Sequence, residues 1–321
     1  MDDLVALVGE ARPHIERTTP DTEAWLTRLE ERHEELHALV DSRLEFAAAL
    51  WPFWWLRGHM EEGRDFLERA AAIEGPDREQ VLKGLGTIAF RQGDVDAAEQ
   101  AFRQRFEIVE KHGSQRDVVD ALTDLSRIDL RRGNFEGVRK HAQRAHEAAQ
   151  GLGEEEALRL PLHMRAAAAR MEGKLDEARA LYLESRELNE RLGYDVMVAG
   201  EDHNLFHVEL HAGNRDEAER RFRSSNAWIL ANDNAYLRPY TFLDAGVLSL
   251  HDGDLERAGR LIAYAQRLFE ESGSIPDPDD RVELDEAVAR LRDQLGDRHE
   301  AVATEGRALS PDEAGVLAAA E

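Results

Sequence analysis

The chain has 321 residues, of which 42% are hydrophobic, 33% charged and 7% aromatic. This composition is typical of a soluble, helix-rich protein and argues against disorder. With 66 acidic and 41 basic residues, the formal net charge of -25 repels nucleic acids and anionic membrane surfaces. We therefore expect neither as a direct partner, and the absence of Cys excludes disulfides and thiol chemistry.

The hydropathy pattern indicates no membrane segment. The most apolar stretch, residues 46 to 56, contains Pro52 and is too short to cross a bilayer. The N-terminus lacks the basic start and the apolar run of a signal peptide. We therefore expect a cytoplasmic protein.

The first predicted element is an N-terminal helical cap over residues 1–41, with a helix over 25–40. His33, Glu34 and His37 form H-E-x-x-H, which in zinc proteases supplies two metal ligands and a general base. His33 also falls in the apolar seam of the helix, and no third ligand follows at a zinc-protease spacing. We favour a packing role for His33 and keep a metal-dependent hydrolase as an alternative.

Residues 42–273 form a predicted repeat array whose turns are marked by glycine. Five of these glycines recur at intervals of 40 residues, and an earlier copy lies 35 residues before them, at positions 58, 93, 133, 173, 213 and 253. An acid three residues after each glycine complements the helix dipole and can cap free amides. A mostly small residue at the fifth position lets two helices approach closely. Each copy therefore predicts a helix, a tight turn and a second helix.

This pattern resembles the tetratricopeptide repeat, with a period of 40 residues in place of about 34. The resemblance implies an all-α fold, a right-handed α-solenoid of about seven helical hairpins. Residues 274–321 then form a degenerate last repeat and a C-terminal capping helix. A proline-containing loop, "GSIPDPDD" at 273–280, precedes this last region.

A second resemblance spans nearly the whole chain. It rests on four stretches, "EARPHIE", "WLTRLEERHEEL", "AAALWPFWWLRGHMEEGRDFLERAAA" and "EGRALSPDEA". In that order they resemble the helical C-terminal sensor region of large ATP-dependent bacterial transcriptional regulators of the LuxR and antibiotic-regulator type. The sequence contains no G-x-x-x-x-G-K-[ST] and nothing after Glu321 to supply a helix-turn-helix. We therefore expect neither the ATPase nor the DNA-binding activity of that family.

The tetratricopeptide resemblance also implies a concave groove lined by the first helix of each hairpin. Positions 10, 6 and 2 residues before the turn glycine point into such a groove, and here they hold the basic residues Lys83, Arg91, Arg127, Arg131, His163, His203, His207, His211 and His251. A basic groove in an acidic protein attracts anions, and Lys and Arg can clamp a carboxylate or phosphate. The alternative is that these side chains pair with acids of adjacent helices.

The histidine row "HNLFHVELH" has the spacing of four residues that can chelate a metal. His203 and His211 are about 12 Å apart along the helix axis, so one ion cannot bind all three histidines. We predict no metal and no cofactor, and expect packing or groove polarity for this row. Tyr240 and Asp244 are expected nearby, which leaves a small-molecule site possible.

Our main hypothesis is a non-enzymatic regulatory or scaffold protein whose groove binds an anionic peptide, protein tail or ligand. It depends on the basic row of the groove and on the family resemblance. The alternative is a small-molecule sensor that uses the histidine-rich half of the groove. No catalytic residue is predicted.

Overall fold

A computed structural model describes residues 2–16, 21–232 and 234–319 of the chain. Within these residues the regular structure is α-helical, with two short 3-10 turns and no strand, so the predicted all-α class is confirmed. The same residues contain no helix that is long and apolar enough to cross a membrane. The chain divides into two compact units, Met1–Ile128 and Asp129–Glu321.

The first unit begins with three helices and continues with helices that pack in pairs. Its helices are α1 (Asp2–Glu16), α2 (Thr22–Glu30), α3 (His33–Ser42), α4 (Ala47–Arg57), α5 (Met60–Ala71), α6 (Arg78–Arg91), α7 (Val95–His112) and most of α8 (Gln115–Arg131). The single helix predicted over residues 25–40 is therefore wrong, because a turn at residues 31 and 32 interrupts the helix and separates α2 from α3. Helix α4 packs on α5, and α6 packs on α7.

The second unit contains the remaining helices. They are α9 (Phe135–Leu152), α10 (Glu155–Met171), α11 (Leu175–Leu192), α12 (Asp195–His211), α13 (Arg215–Ala231), α14 (Arg238–His251), α15 (Leu255–Glu271), α16 (Pro278–Leu295), α17 (His299–Ala308) and α18 (Pro311–Ala319). Three pairs pack as hairpins, α10 with α11, α12 with α13 and α14 with α15. Helix α16 also contacts α10 and α14, which are not its neighbours along the chain.

Glycine ends the first helix of the hairpins, as the period predicts. The six predicted turn glycines all have positive φ, for example 82° at Gly93 and 86° at Gly253. This left-handed conformation strains any residue with a Cβ, so glycine is the favoured residue there. The second helix then begins two residues later.

The caps of these second helices lie one residue after the glycine. The side-chain oxygens of Asp94, Asn134 and Asp254 each accept a hydrogen bond of 3.1 Å from the backbone N–H three residues later. Each bond satisfies one of the free amides of the first turn. The acids two positions further on, which we expected to cap, lie in the first helical turn.

Small residues allow the two helices of a hairpin to touch. A Cβ added at Gly86 of α6 would lie 2.4 Å from the ring of Phe102 on α7. A Cβ at Gly246 of α14 would lie 2.6 Å from Ile262 on α15. These glycines are therefore packing residues, whereas the turn glycines serve backbone conformation.

Candidate functional site

The basic groove candidates of the first unit lie beside acids or aromatic rings. Lys83 Nζ lies 3.4 Å from Asp120 Oδ2. The guanidinium of Arg127 lies 5.6 Å from the ring centre of Phe90 and 4.0 Å from a carboxylate oxygen of Asp124. Lys83 and Arg127 keep 28% and 31% of their side chains exposed, so part of each is accessible.

Arg91, the third candidate of this unit, is buried at the end of α6, with its guanidinium 5.8 Å from the ring centre of Trp55. Arg91 therefore packs in the interior and offers little accessible surface for a partner.

Sequence reasoning missed the most buried cation of the first unit, Arg105. Its side chain is fully buried and donates to Glu79 at 2.6 Å and to Asp124 at 2.7 Å. Burial raises the pKa of Asp124 despite the nearby Arg105 charge. The signal was present in the sequence, because Arg105 stands where the other copies have a small residue.

The H-E-x-x-H motif lies on α3, and its two histidines share one acid from α5. His33 Nε2 lies 2.8 Å from one oxygen of Glu62, and His37 Nδ1 lies 3.3 Å from the other. The ring of His33 stacks on His59 at 4.0 Å, and Glu34 is exposed. His33 therefore packs at the surface of the first unit, between Glu62 and a second histidine.

The second unit holds a buried charged group that centres on Arg170 of α10. Arg170 donates from Nη1 to Asp279 at 3.1 Å and from Nη2 to Glu283 at 3.0 Å, and both nitrogens lie 3.3 Å from Asp280 Oδ1. These acids belong to one stretch, Asp277 to Glu283, at the start of α16, which we call the acidic segment. The acidic segment thus packs against the first helices of the preceding hairpins.

Two of the predicted groove histidines and Asp244 complete this group. His203 Nδ1 lies 2.7 Å and His207 Nε2 2.9 Å from the two oxygens of Asp244 on α14. The other ring nitrogen of His203 lies 3.1 Å from Asp280 Oδ1. We call these buried residues the polar cluster: Arg170, His203, His207, Asp244, Asp279, Asp280 and Glu283.

The electrostatics of the polar cluster follow from burial and charge pairing. Burial alone would lower the pKa of His203, but the carboxylates of Asp244 and Asp280 outweigh it and raise that pKa well above its usual value. Glu283 raises the pKa of His207 in the same way, against burial. Burial would raise the pKa of Glu283, yet the facing His207 holds it far below its usual range. These charges therefore favour cationic His203 and His207 and an ionised Glu283, whereas burial raises the pKa of Asp279.

Three other predicted groove residues contact the acidic segment or the residue just before it. His211, half-exposed at the end of α12, lies 2.9 Å from Glu283. Arg131 donates to the carbonyl of Pro276 at 3.0 Å, just before the acidic segment. Tyr240 contacts the first residue of that segment, because its hydroxyl accepts from the Asp277 N–H at 3.2 Å.

Two further histidines lie outside the cluster. His163 Nδ1 is 3.1 Å from both carboxylate oxygens of Glu201, which is buried. His251 is exposed and lies 3.4 Å from its neighbour Asp252.

Arg170 and the acidic segment were not among the predicted site residues. Arg170 stands three residues before its turn glycine, where the other five copies have the apolar residues Trp55, Phe90, Leu130, Leu210 and Leu250. A cation at an apolar position of the repeat was therefore the signal. Nothing in the local pattern connects it to Asp279 and Asp280, more than 100 residues later.

Comparison with known proteins supports the fold. No protein-family model and no curated protein matches the sequence. Among solved structures, a Rap protein complexed with Competence and Sporulation Factor aligns with a TM-score of 0.66 at 14% identity, over 95% of this chain and 86% of that one.

Two further structures are also similar. The Rap conjugation gene regulator of plasmid pLS20, in complex with the Phr* peptide, aligns with a TM-score of 0.58 at 12% identity, over 95% of this chain and 98% of that one. A tetratricopeptide repeat protein from Parabacteroides merdae gives 0.52 at 12% identity, over 89% and 99%. At these identities the likeness concerns the fold, and the predicted class of tetratricopeptide-like α-solenoid is confirmed.

Proposed function

We propose that the chain is a non-enzymatic regulatory or scaffold protein whose groove binds an acidic peptide or protein tail. The observation that carries this proposal is the acidic segment itself. Its carboxylates meet Arg170, His203 and His211, on helices predicted to line the groove. An acidic stretch of a partner would meet the same donors if it replaced the acidic segment.

Two similar structures support a binding role. One is a Rap protein complexed with Competence and Sporulation Factor, and another is a Rap regulator in complex with the Phr* peptide. Both are helical-repeat proteins with bound factors. From these two structures we carry over to this chain only one feature, the use of a helical-repeat surface to bind a partner.

The resemblance to the sensor regions of large ATP-dependent regulators is consistent with this role. On that basis we propose a regulatory function in a bacterial cytoplasm, without ATPase or DNA-binding activity of its own. In the first unit, the partly exposed Lys83 and Arg127 are candidates for further contacts with an anionic partner.

The test uses a fluorescein-labelled peptide with the sequence of residues 274–286, followed by fluorescence anisotropy. In the wild-type chain its own acidic segment competes at high effective concentration, so the peptide binds weakly. A variant with D279N, D280N and E283Q removes that competition. We expect it to bind the peptide at least about tenfold more tightly than wild type, and less tightly as salt rises.

The control peptide carries Asn and Gln in place of Asp and Glu, and we expect it not to bind. The triple variant changes buried residues, so a second variant is needed that leaves them unchanged. It carries a long Gly-Ser linker after Gly273, which lowers the effective concentration of the unchanged acidic segment. Equal affinity of both folded variants and wild type for the acidic and the neutral peptide would contradict the proposal. Retention of a small molecule through native mass spectrometry would favour the sensor alternative.

A further inference from the structure

Three side chains of the polar cluster have the arrangement of metal ligands. His203 and His207 lie one turn apart on α12, and both face Asp244 on α14. One ligand atom from each of the three residues lies within 4.8 Å of the others, and all three are buried. Small side-chain rotations would bring these atoms to the 2.0–2.2 Å typical of imidazole and carboxylate ligands around one ion.

The second ring nitrogens of both histidines point to carboxylates. His203 Nε2 lies 3.1 Å from Asp280, and His207 Nδ1 lies 3.6 Å from Glu283. Histidines that bind metals usually donate their other N–H to a carboxylate, which fixes the orientation of the ring. The acidic segment therefore supplies the outer carboxylates that such a site needs.

Both nitrogens are buried, and their contacts with Asp280 and Glu283 are ion-pair contacts that do not meet the geometry of hydrogen bonds within the described residues. Rotation of the rings toward an ion between them and Asp244 would let both nitrogens align with these carboxylates.

The charge of the cluster is compatible with a cation. The cluster holds four buried carboxylates, those of Asp244, Asp279, Asp280 and Glu283, and one permanent cation, Arg170. A divalent ion carries the same charge as two imidazolium protons, so its binding to neutral imidazoles leaves the buried negative charge compensated.

We propose that His203, His207 and Asp244 bind a divalent first-row transition-metal ion. Two imidazoles and one carboxylate suit ions such as Zn²⁺ or Fe²⁺ better than Mg²⁺ or Ca²⁺, which prefer oxygen ligands. The ion would hold the acidic segment in place through its outer carboxylates, Asp280 and Glu283. This inference does not depend on peptide binding.

The test measures Zn²⁺ binding to chelator-treated protein by isothermal titration calorimetry, with metal content checked by mass spectrometry. Glu30, His33 and His59 of the first unit also have metal-ligand spacing. All proteins therefore carry H59Q, which removes a histidine from that surface group. We expect the H59Q protein to bind one Zn²⁺ per chain.

Three further substitutions in the H59Q protein distinguish the metal ligands from nearby residues that do not bind the metal. H207Q removes a ligand and is expected to abolish binding at the same site. D280N changes an outer carboxylate and is expected to weaken binding about 10- to 100-fold. H211Q is the matched control, because His211 lies on the same helix and contacts Glu283 without belonging to the three ligands.

Circular dichroism of each variant establishes that it is folded. If H207Q does not fold, Co²⁺ added to the H59Q protein provides the second measurement, since visible absorption bands report imidazole coordination directly. The proposal is overturned if the H59Q protein binds neither Zn²⁺ nor Co²⁺, or if H211Q weakens binding as much as H207Q.

Discussion

Arg170 Nη2 donates a hydrogen bond to Glu283 Oε1 at 3.0 Å, although 113 residues separate the two along the chain. Both side chains are buried, and Arg170 also contacts Asp279 and Asp280. Arg170→Met removes this cation and leaves buried acids without their partner. We expect the free energy of unfolding to fall by about 3–5 kcal/mol, measured by urea denaturation.

The matched control is Arg290→Met, which removes an exposed arginine from α16. A surface substitution of this kind changes stability by about 0.5 kcal/mol or less. If both variants lost the same small amount, the Arg170 contacts would not stabilise the second unit.

A second prediction concerns helix packing at Gly86. Gly86→Ala places a methyl group 2.4 Å from the ring of Phe102, so the hairpin of α6 and α7 must shift. We expect a loss of about 1–3 kcal/mol in the free energy of unfolding.

Gly200→Ala tests the same chemical change in open space. Gly200 lies within α12, and an added Cβ has no atom within 4 Å. Alanine is the better helix former, so this variant should gain about 0.5–1 kcal/mol. Opposite signs in the two melts confirm the packing role, and equal signs contradict it.

A third prediction separates the capping hydrogen bond of Asp254 from the effect of its charge. Its side chain accepts from the Arg257 N–H at 3.1 Å, so Asp254→Ala should cost about 1 kcal/mol in thermal or urea unfolding. Asp254→Asn keeps an acceptor oxygen and should retain most of the stability. Equal losses in the two variants would assign the effect to charge and not to the cap.

The hairpins could be predicted because their signals are local. Glycine at positions such as 93 and 253 has a positive φ that other residues rarely adopt, so the turn is visible in one residue type. The break between α2 and α3 was not visible, because Glu31 and Arg32 fall at polar positions of the helical pattern and neither is glycine or proline.

A fourth prediction is a pH dependence at His163. Burial alone would lower the pKa of His163, but the nearby charges, first Glu201 and then Asp279 and Asp277, outweigh it and raise the pKa. The folded pKa therefore lies above the unfolded value of about 6.5. The resulting stability is fully present below that pH and is lost as pH rises through the folded pKa.

His163→Gln removes this titration. We expect the stability difference between wild type and the variant to shrink as pH rises from about 6 upward, measured from urea unfolding at several pH values. A difference that stays constant with pH would show that His163 does not gain a proton preferentially in the folded state.

The polar cluster could be predicted only in part. His203 and His207 lie at repeat positions that suggested a site, Asp244 was expected near them, and the structure brings the three together. The contacts of Arg170 with Asp279 and Asp280 depend on how far the chain turns between α10 and α16. No local pattern encodes that path, and only the departure of Arg170 from an apolar repeat position hinted at a buried role.

The contact between α10 and α16 changes how the second unit is expected to unfold. In an array whose hairpins touch only their neighbours, end repeats can fray while the middle stays folded. Here the acidic segment forms ion pairs with Arg170 of α10 and His203 of α12. Detachment of α16 would therefore leave a buried charged side chain without its partner on each of these two helices. Amide hydrogen exchange should therefore open α10, α12 and α16 together, as one cooperative unit.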